Sequence, residues 1–337
     1  MTDKIRMGFV GLGRWSGMLA EAATKSGRVE IAACYSRTEA KMVAFTKKYG
    51  GSEKTSYQDL IKDKNFDAVV LTTPDSAHAE QAIEAARNSK HIFVEKPLAT
   101  LVGDAKRMIA EAKEANVILA VGHKHRRLAR YRKAKELLAQ GALGEILLVE
   151  ASSSSDLGLK LTPEIWRWYR KENPIGPLMP HTVHLTDLLN HLIGPMKTVT
   201  AFSSKLSGKA ETDDVFSSVV RFECGALGYI GGAFLTPSRE VLQIHGVEGV
   251  IWVDEEDGGT YFQKKGTDHL VKQGVFPDSE TQKRDALAEE IDEFARCIQN
   301  GGKPETAGEE GLAALAVIEA ITRSATSGLA VEIKDLY

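Results

Sequence analysis

"GLGRWSGMLA", residues 11–20, comes close to the G-x-G-x-x-G fingerprint of a turn that binds the pyrophosphate of a dinucleotide. An apolar β-rich run precedes it and an amphipathic helical pattern follows, which is the context that such a site requires. Gly11 and Gly13 let the backbone approach the phosphates, whereas the last glycine of the fingerprint serves close helix–strand packing. Ser16 takes that last place, and its small side chain beside Gly17 is compatible with the packing. The cofactor contacts predicted for this turn are Gly11, Gly13, Arg14 and Trp15.

The fingerprint begins a regular alternation of short apolar runs and helical spacings that continues to residue 123. Nearly continuous apolar runs are typical of parallel strands that are covered on both faces. The predicted strands are residues 4–12, 29–36, 66–73, 91–97 and 117–123. We therefore predict a doubly wound parallel sheet, an N-terminal Rossmann domain over residues 1–123.

The pattern changes after residue 123 to strands joined by hairpin turns. The turn residues Glu223-Cys224-Gly225 and Asp257-Gly258-Gly259 indicate antiparallel pairing. Residues 124–337 are therefore predicted to form a C-terminal α/β domain with an open, mainly antiparallel sheet. The alternating apolar residues of "VFSSVVRF" and "ALGYIGGAF" suit burial of a sheet face between subunits, so we expect a homodimer or homotetramer.

Composition excludes several classes of partner. Lysine plus arginine total 43 against 46 acidic residues, and a net charge of −3 offers no global attraction for nucleic acid or an anionic membrane. No segment approaches the roughly 20 apolar residues of a spanning helix, and the first residues have no apolar run typical of a signal peptide. Three dispersed cysteines suggest reduced packing residues and no metal cluster. We expect a cytoplasmic protein with a small-molecule partner and no metal.

The end of the second predicted strand indicates which dinucleotide binds. An NAD site usually places an acidic residue there for the ribose hydroxyls, but this chain has Tyr35-Ser36-Arg37-Thr38. Ser36 and Arg37 can hydrogen-bond a 2′-phosphate, the arginine with charge assistance. NADP is therefore favoured and NAD is possible; alternatively, Thr38 caps the next helix and Arg37 is solvated.

Four further motifs occur in order, "TTPDSAH", "HIFVEKPLA", "RRLARYRKAKELLAQGALGEI" and "PIGPLMPHTVHLTDLL", at residues 72–78, 91–99, 126–146 and 174–189. Together with the turn they resemble the Gfo/Idh/MocA family of oxidoreductases, which includes glucose-fructose oxidoreductase and inositol dehydrogenase. The resemblance runs nearly end to end, because residues 289–321 are also similar to the closing helices of the family.

The resemblance implies roles for residues of the first three motifs and of "WRWYRK" at 166–171. Glu95 would orient ribose, and Lys96, the first catalytic candidate, would reach both ribose and a substrate hydroxyl. The Lys96–Pro97 bond would be cis, as in the family. The remaining implied cofactor contacts are Thr72, Thr73, Pro74, His78 and Arg167, while Arg127 would bind substrate. From sequence alone, Lys96 can equally be a surface lysine and His78 a structural histidine.

The fourth motif departs from the family pattern G-G-G-x-L-x-D-x-G-x-H-x-x-D. Its glycine run reads Pro174-Ile175-Gly176, and Pro180 replaces the substrate-facing aspartate. Proline can neither accept a hydroxyl nor shuttle a proton, so this carboxylate function is missing. His184 remains as a general acid/base candidate. The other predicted substrate contacts are His181, which could share a helical face with His184, and Asp187, which could orient it.

The resemblance and these residues favour an NAD(P)-dependent dehydrogenase that acts on a sugar, polyol or related cyclic alcohol or hemiacetal. Lys96 would polarise the oxygen and His184 would exchange the proton. The missing acid and the nearby cations keep open a cyclic dihydrodiol or a carboxylated aromatic-pathway intermediate as substrate. Two further alternatives are a non-catalytic nucleotide-binding regulator and an enzyme that oxidises and then re-reduces its substrate. Arg130, Arg132 and Lys133 are expected on the solvated face of a helix.

Overall fold

A computed structural model describes residues 4–173 and 175–337. The chain forms two compact units, and both are discontinuous in sequence. The first comprises Met1–Lys124 and Arg284–Leu312, and the second comprises His125–Lys283 and Ala313–Tyr337.

The first unit is built on a six-stranded parallel sheet. Its strands are β1 (Ile5–Val10), β2 (Val29–Tyr35), β3 (Ser52–Glu53), β4 (Ala68–Leu71), β5 (His91–Val94) and β6 (Leu119–Val121), in the order β3-β2-β1-β4-β5-β6. The helices between them are α1 (Arg14–Lys25), α2 (Glu39–Tyr49), α3 (Tyr57–Lys62), α4 (His78–Arg87) and α5 (Val102–Glu114). The order reverses on either side of β1, so the predicted doubly wound sheet is confirmed. The prediction lacked only β3, a two-residue edge strand.

The first unit also contains a segment from near the C-terminus, which the expected division at residue 123 had assigned to the second domain. Within α8 (Ser279–Asn300), the side chains of Leu287, Ile291 and Phe294 join the core of the parallel sheet. The Phe294 ring meets the Phe93 ring of β5 edge-on, with 5.8 Å between centroids. Burial of this apolar helix face places the segment in the first unit.

The second unit contains a nine-stranded sheet. Its strands are β7 (Ile146–Ser154), β8 (Met196–Ser204), β9 (Val215–Phe222), β10 (Leu227–Ala233), β11 (Arg239–Gly246), β12 (Gly249–Asp254), β13 (Thr260–Lys264), β14 (Val271–Lys272) and β15 (Val331–Glu332). The order is β14-β13-β12-β11-β7-β10-β9-β8-β15. Among the described strands of this nine-stranded sheet, only β7 and β10 pair in parallel, so the predicted mainly antiparallel sheet is confirmed.

Helices cover one face of this sheet and leave much of the other exposed. The helices of the unit are α6 (Ala129–Ala139), α7 (Val183–Leu192) and the greater part of α9 (Gly308–Ser327). The Thr186 hydroxyl of α7 donates to the Ala314 carbonyl oxygen of α9 at 3.2 Å. Along β9, buried and exposed residues alternate from Phe216 to Phe222, as a sheet with one covered face requires.

The three cysteines form no disulfide within the described residues. Cys34 and Cys297 are buried, and burial raises the pKa of the Cys34 thiol to about 11. Cys224 is exposed in the β9–β10 turn, so the expectation that all three are packing residues is wrong for this one. Within residues 4–173 and 175–337, no helix is both long and apolar enough to cross a membrane.

Candidate functional site

The glycine turn after β1 has a backbone that only glycine fits well. Gly11 has a φ of +86°, and a Cβ there would lie 2.7 Å from the Thr73 amide nitrogen and 2.8 Å from the Thr72 carbonyl oxygen. The Thr72 hydroxyl donates to the Gly11 carbonyl oxygen at 2.6 Å. Positive φ and close backbone approach are the two conditions that select glycine. The turn after β4, which begins with Thr72 and Thr73, therefore holds the glycine turn in place.

The start of α1 can accommodate the pyrophosphate of a dinucleotide. Gly13 caps this helix with no side-chain hydrogen bond, and a Cβ added there would meet nothing within 4 Å. The first amides of the helix and its positive dipole end suit an anion, and Gly13 leaves room for one. Ser16 is fully buried in α1, in agreement with its place at the packing position. These residues fit the phosphates of a nicotinamide dinucleotide.

His78, predicted to contact the cofactor, lies fully buried at the start of α4. Its Nδ1 is 2.8 Å from the Pro97 carbonyl oxygen, and its Nε2 is 3.1 Å from the Thr73 carbonyl oxygen. A backbone oxygen thus faces each ring nitrogen, which leaves no ring nitrogen for a ligand. In this structure His78 links the turn after β4 to the segment after β5, which is the structural alternative left open by the sequence.

The end of β2 carries no carboxylate. The Ser36 hydroxyl oxygen accepts from the Thr38 amide at 3.3 Å, which leaves its proton available for donation to a ligand. Arg37 is exposed, and within the described residues it has no hydrogen bond or ion pair. Thr38 begins α2 as its N-cap residue, but its side chain makes no capping hydrogen bond.

Charged side chains gather where β5 and β6 end. Glu95 and Lys96 are buried just after β5, and Lys124 is buried after β6, with its Nζ 5.4 Å from the centre of the Trp15 ring. Burial raises the pKa of the Glu95 carboxyl, although the Lys96 and Lys124 ammonium groups oppose the shift. The Lys96–Pro97 peptide bond is cis, as the resemblance implies. A buried ammonium at the ligand-binding edge of a parallel sheet can hydrogen-bond a substrate oxygen.

In the second unit, Pro180 lies in a π-helical turn, Leu178–Thr182, that leads into α7. The Thr182 amide donates to the Pro177 carbonyl oxygen, five residues earlier, at 3.1 Å. Such turns occur frequently at functional sites. His181 lies in this turn, and its Nε2 is 2.9 Å from the Ser155 hydroxyl oxygen. Pro174, the first residue of the altered glycine run, is outside the described residues.

His184 stands in a stack of aromatic rings. Its ring is nearly parallel to that of His125, with 4.1 Å between centroids. The Tyr131 ring stacks on His125 with 5.7 Å between centroids. His125 Nε2 is 3.3 Å from a carboxylate oxygen of Glu240 in β11, and the Tyr131 hydroxyl donates to the other oxygen. Burial acts to raise the pKa of Glu240, but His125, Arg130 and Tyr131 outweigh it and lower this pKa to about 2. His184 thus lies one ring away from the contact between His125 and the Glu240 carboxylate.

Asp187, predicted to orient His184, pairs with a different residue. Its two carboxylate oxygens accept from Arg126 Nη2 at 2.6 Å and from Nε at 2.8 Å, and both side chains are buried. This bidentate geometry is the strongest form of the arginine–carboxylate pair. Asp187 is fully buried, so its first role is to join α7 to the turn that carries Arg126.

The other predicted arginines divide between buried and stacked positions. Arg127 is buried before α6, and the Arg167 guanidinium lies over the Trp166 ring at 4.0 Å. Arg130 is only 3% exposed and stacks on the Tyr131 ring, so its expected solvated position is wrong; Arg132 is exposed as expected. The Tyr131 ring gives the Arg130 guanidinium an apolar face to pack on. The roles of Arg127 and Arg167 toward ligands stay predictions.

Sequence reasoning missed His125, Tyr131 and Glu240. Tyr131 lies within the motif at residues 126–146, for which the resemblance implies a role for Arg127 alone, His125 lies just before that motif, and Glu240 is the second residue of β11. β11 also contains Arg239, Gln243 and His245, so its sequence does not distinguish Glu240 from the other polar residues of the strand. Within the described residues there is no group of three or more histidine, cysteine or acidic side chains that could hold a metal ion.

Comparisons with known proteins agree with this architecture. The chain is 28% identical over 337 residues to the 1,5-anhydro-D-fructose reductase of Ensifer adhaerens, with 98% of each chain covered. It is similar to the structure of a putative NADPH-dependent oxidoreductase from Desulfitobacterium hafniense, with 30% identity, a TM-score of 0.92 and coverage of 100% and 99%. The WlbA dehydrogenase from Bordetella pertussis, solved with NADH and UDP-GlcNAcA, gives 29% identity, a TM-score of 0.85 and 98% coverage of each chain.

Two family models match most of the chain. Residues 5–123 match the oxidoreductase family with an NAD-binding Rossmann fold, and residues 135–333 match the C-terminal alpha/beta domain of that oxidoreductase family. The first match covers the parallel sheet, and the second covers the nine-stranded sheet together with the segment Arg284–Leu312 of the first unit. The chain therefore belongs to the Gfo/Idh/MocA family of oxidoreductases.

Proposed function

We propose that the protein is an NAD(P)-dependent dehydrogenase or reductase acting on a CH–OH group of a sugar, polyol or related cyclic alcohol or hemiacetal. One observation carries the proposal: the open glycine turn and the buried Lys96 both lie at the carboxyl ends of strands in the parallel sheet. The similarity to a 1,5-anhydro-D-fructose reductase supports a sugar-like substrate. When bound, the nicotinamide supplies the hydride donor or acceptor.

Two side chains are proposed to act on the substrate oxygen. The Lys96 ammonium donates a hydrogen bond to it and stabilises negative charge as the carbinol proton leaves. His184 accepts that proton during oxidation and returns it during reduction. Glu95 orients ribose, and the amides at the start of α1, with Arg14 and Trp15 beside them, contact the remainder of the cofactor.

We propose NADP as the preferred cofactor. The Ser36 hydroxyl and the exposed Arg37 side chain are the groups expected to bind the 2′-phosphate, and none of residues 36–38, directly after β2, is acidic. The similarity to a putative NADPH-dependent oxidoreductase agrees with this preference. NAD remains the alternative, since a relative of similar identity was solved with NADH.

A carboxylated or dihydrodiol substrate is the second candidate. The absence of an acid at Pro180 and the burial of Arg127 in the same unit as His184 are the observations that support this candidate. A carboxylate would pair with a guanidinium, whereas a neutral hydroxyl gains less from it. Copies of this chain are proposed as the other partner, joined through the exposed face of the nine-stranded sheet. A reducing cytoplasm suits the absence of disulfides within the described residues.

The first experiment is a fluorescence titration with NADPH and NADH, for the wild type, Arg37→Ala and the control Arg6→Ala. Arg6 forms an exposed ion pair with Glu30 at 3.5 Å. We expect Arg37→Ala to raise the Kd for NADPH roughly tenfold or more, because hydrogen bonds to charged groups contribute about 1.5–3 kcal/mol. The Kd for NADH should stay constant, and Arg6→Ala should change neither. Equal weakening of both cofactors by Arg37→Ala would contradict the NADP proposal.

The second experiment is a pooled screen of alcohols and carbonyl compounds with the wild type, Lys96→Ala and the control Lys64→Ala. We expect turnover that Lys96→Ala abolishes and the exposed Lys64→Ala retains. Turnover restricted to neutral polyols removes the carboxylated substrate. Cofactor binding without turnover on any pool favours the non-catalytic regulator. Product formation without net change in NADPH favours the enzyme that oxidises and then re-reduces its substrate.

A further inference from the structure

His125 links His184 to a carboxylate on another strand. It lies between the rings of His184 and Tyr131, and its Nε2 is 3.3 Å from Glu240. The Glu240 side chain is only 8% exposed, yet the neighbouring groups keep it ionised near neutral pH by lowering its pKa to about 2. A buried carboxylate at this distance favours the protonated form of the facing imidazole. A positive charge within this stack is therefore favoured on His125, the imidazole that faces the carboxylate.

Two imidazoles stacked at 4.1 Å do not both take a proton easily. Like charges at that separation in a buried place repel strongly. The rings are nearly parallel, with 24° between their planes, so the coupling acts through space and not through a hydrogen bond between ring nitrogens. A positive charge on His125 thus disfavours a second one on His184.

We propose that Glu240 and His125 are positioning residues that hold His184 in the neutral, proton-accepting form. This inference rests on the proposed function, in which His184 exchanges the substrate proton. His184 Nδ1 is buried, and Nε2 is the ring nitrogen that we propose to exchange the proton. Pro180 has no carboxylate that could set the proton affinity of His184. The stacked His125 ring sets this affinity instead, through the face of the His184 ring.

The other charged groups around this stack either form pairs or stay unchanged when Glu240 is substituted. On the turn and helix packed against α7 they are Arg126, Arg127, Arg130 and Tyr131, and on α7 and its π-helical turn they are His181, Asp187 and His191. Arg126 and Asp187 form a neutral pair, and His181 is bonded to Ser155. Burial and the nearby arginines lower the pKa of His191 to about 4, so it stays neutral over the tested range.

The test is the pH profile of kcat/KM for alcohol oxidation in Glu240→Gln. Without the carboxylate, His125 loses its proton, the positive charge nearest to His184 disappears, and His184 is protonated more readily. The acid limb should then move to higher pH by about one unit or more. The double variant His125→Phe with Glu240→Gln, which keeps a ring in the stack, should show the same shift.

Glu150→Gln is the matched control. Glu150 also pairs with a histidine across neighbouring strands, 2.9 Å from His245 Nε2, but both side chains are partly exposed on the other face of the sheet. It should leave the profile unchanged. If Glu240→Gln lowers the melting temperature or kcat without moving the acid limb, the pair is structural and the proposal is wrong.

A measurement without substrate separates this inference from the proposed function. In wild-type protein labelled with ¹⁵N-histidine, His125 should show the charged imidazolium pattern at about pH 7 and His184 the neutral pattern. His125→Phe and His184→Gln assign the two resonances. A charged His184 or a neutral His125 overturns the proposal, even if Glu240→Gln fails to fold. Absence of turnover on any substrate, with the expected resonances present, would count against the proposed function alone.

Discussion

The glycine turn needs a residue without a Cβ at position 11. The residue has a φ of +86°, and Thr72 and Thr73 approach it through their backbone atoms, which cannot rotate away as a side chain could. We predict that Gly11→Ala lowers the free energy of unfolding by roughly 1–3 kcal/mol through strain. It should also weaken NADPH binding, because the turn must shift. Urea unfolding and fluorescence titration measure the two effects.

Gly13→Ala is the matched control for this prediction. Gly13 has an ordinary φ of −98°, and a Cβ there meets no protein atom within 4 Å. Its unfolding should resemble that of the wild type, whereas NADPH binding should weaken if phosphate passes over this residue. Unchanged stability of Gly11→Ala would show that the turn relaxes more easily than its contacts indicate.

Residues of local motifs were predictable from sequence, and residues joined by tertiary contacts were not. Gly11, Thr72 and the Lys96–Pro97 bond lie within short patterns whose residues are neighbours along the chain. Glu240 and His125 are 115 residues apart, and their partnership exists only because β11 and the turn before α6 pack in one unit. Asp187 was chosen for its spacing from His184, but a buried arginine is a stronger partner for a carboxylate than an imidazole.

The Arg126–Asp187 pair connects α7 to the turn before α6. Both side chains are buried, so removal of one charged partner leaves the other charge buried without a counter-ion. We predict that Asp187→Asn lowers the free energy of unfolding by about 3–5 kcal/mol, although its shape is nearly unchanged. Urea unfolding at neutral pH measures the effect.

A double variant distinguishes an unpaired charge from a packing defect. Arg126→Met with Asp187→Leu removes both charges and keeps similar volume, and it should recover much of the stability lost in Asp187→Asn. An equally unstable double variant would mean that other contacts of the arginine dominate. Wild-type stability of Asp187→Asn would mean that the pair contributes little.

The elements themselves followed largely from hydrophobic periodicity, and the exceptions have physical causes. β3 has two exposed residues at the edge of its sheet, so it has no apolar pattern to detect. The π-helical turn at Leu178–Thr182 has a hydrogen bond that spans five residues. The α-helical spacing from which His181 and His184 were expected to share one helical face therefore does not apply at His181. The apolar face of α8 was recognised, but a sequence pattern does not state which unit covers it.

Several large apolar side chains lie on the exposed face of the nine-stranded sheet. Val219 of β9 is 59% exposed and stands opposite Tyr229 of β10, which is 39% exposed. Leu227 and Leu148 are paired between β10 and β7 on the same face, and Phe202 of β8 is 73% exposed. A contiguous patch of this kind is typical of a surface buried by another protein chain. A second copy of the chain is the occupant proposed above.

Val219→Lys tests this proposal, because the residue lies near the middle of the patch and a buried lysine there would have no carboxylate opposite it. We predict that the wild type sediments as a dimer or tetramer and that Val219→Lys raises the dissociation constant about tenfold or more, as the loss of a central contact worth about 2 kcal/mol requires. The control is Leu159→Lys, since Leu159 is 68% exposed in the turn at Leu157–Lys160, outside the sheet. Sedimentation of both variants over a concentration series gives the constants. A monomeric wild type, or equal dissociation in the two variants, would remove the sheet face as the interface and leave its apolar residues unexplained.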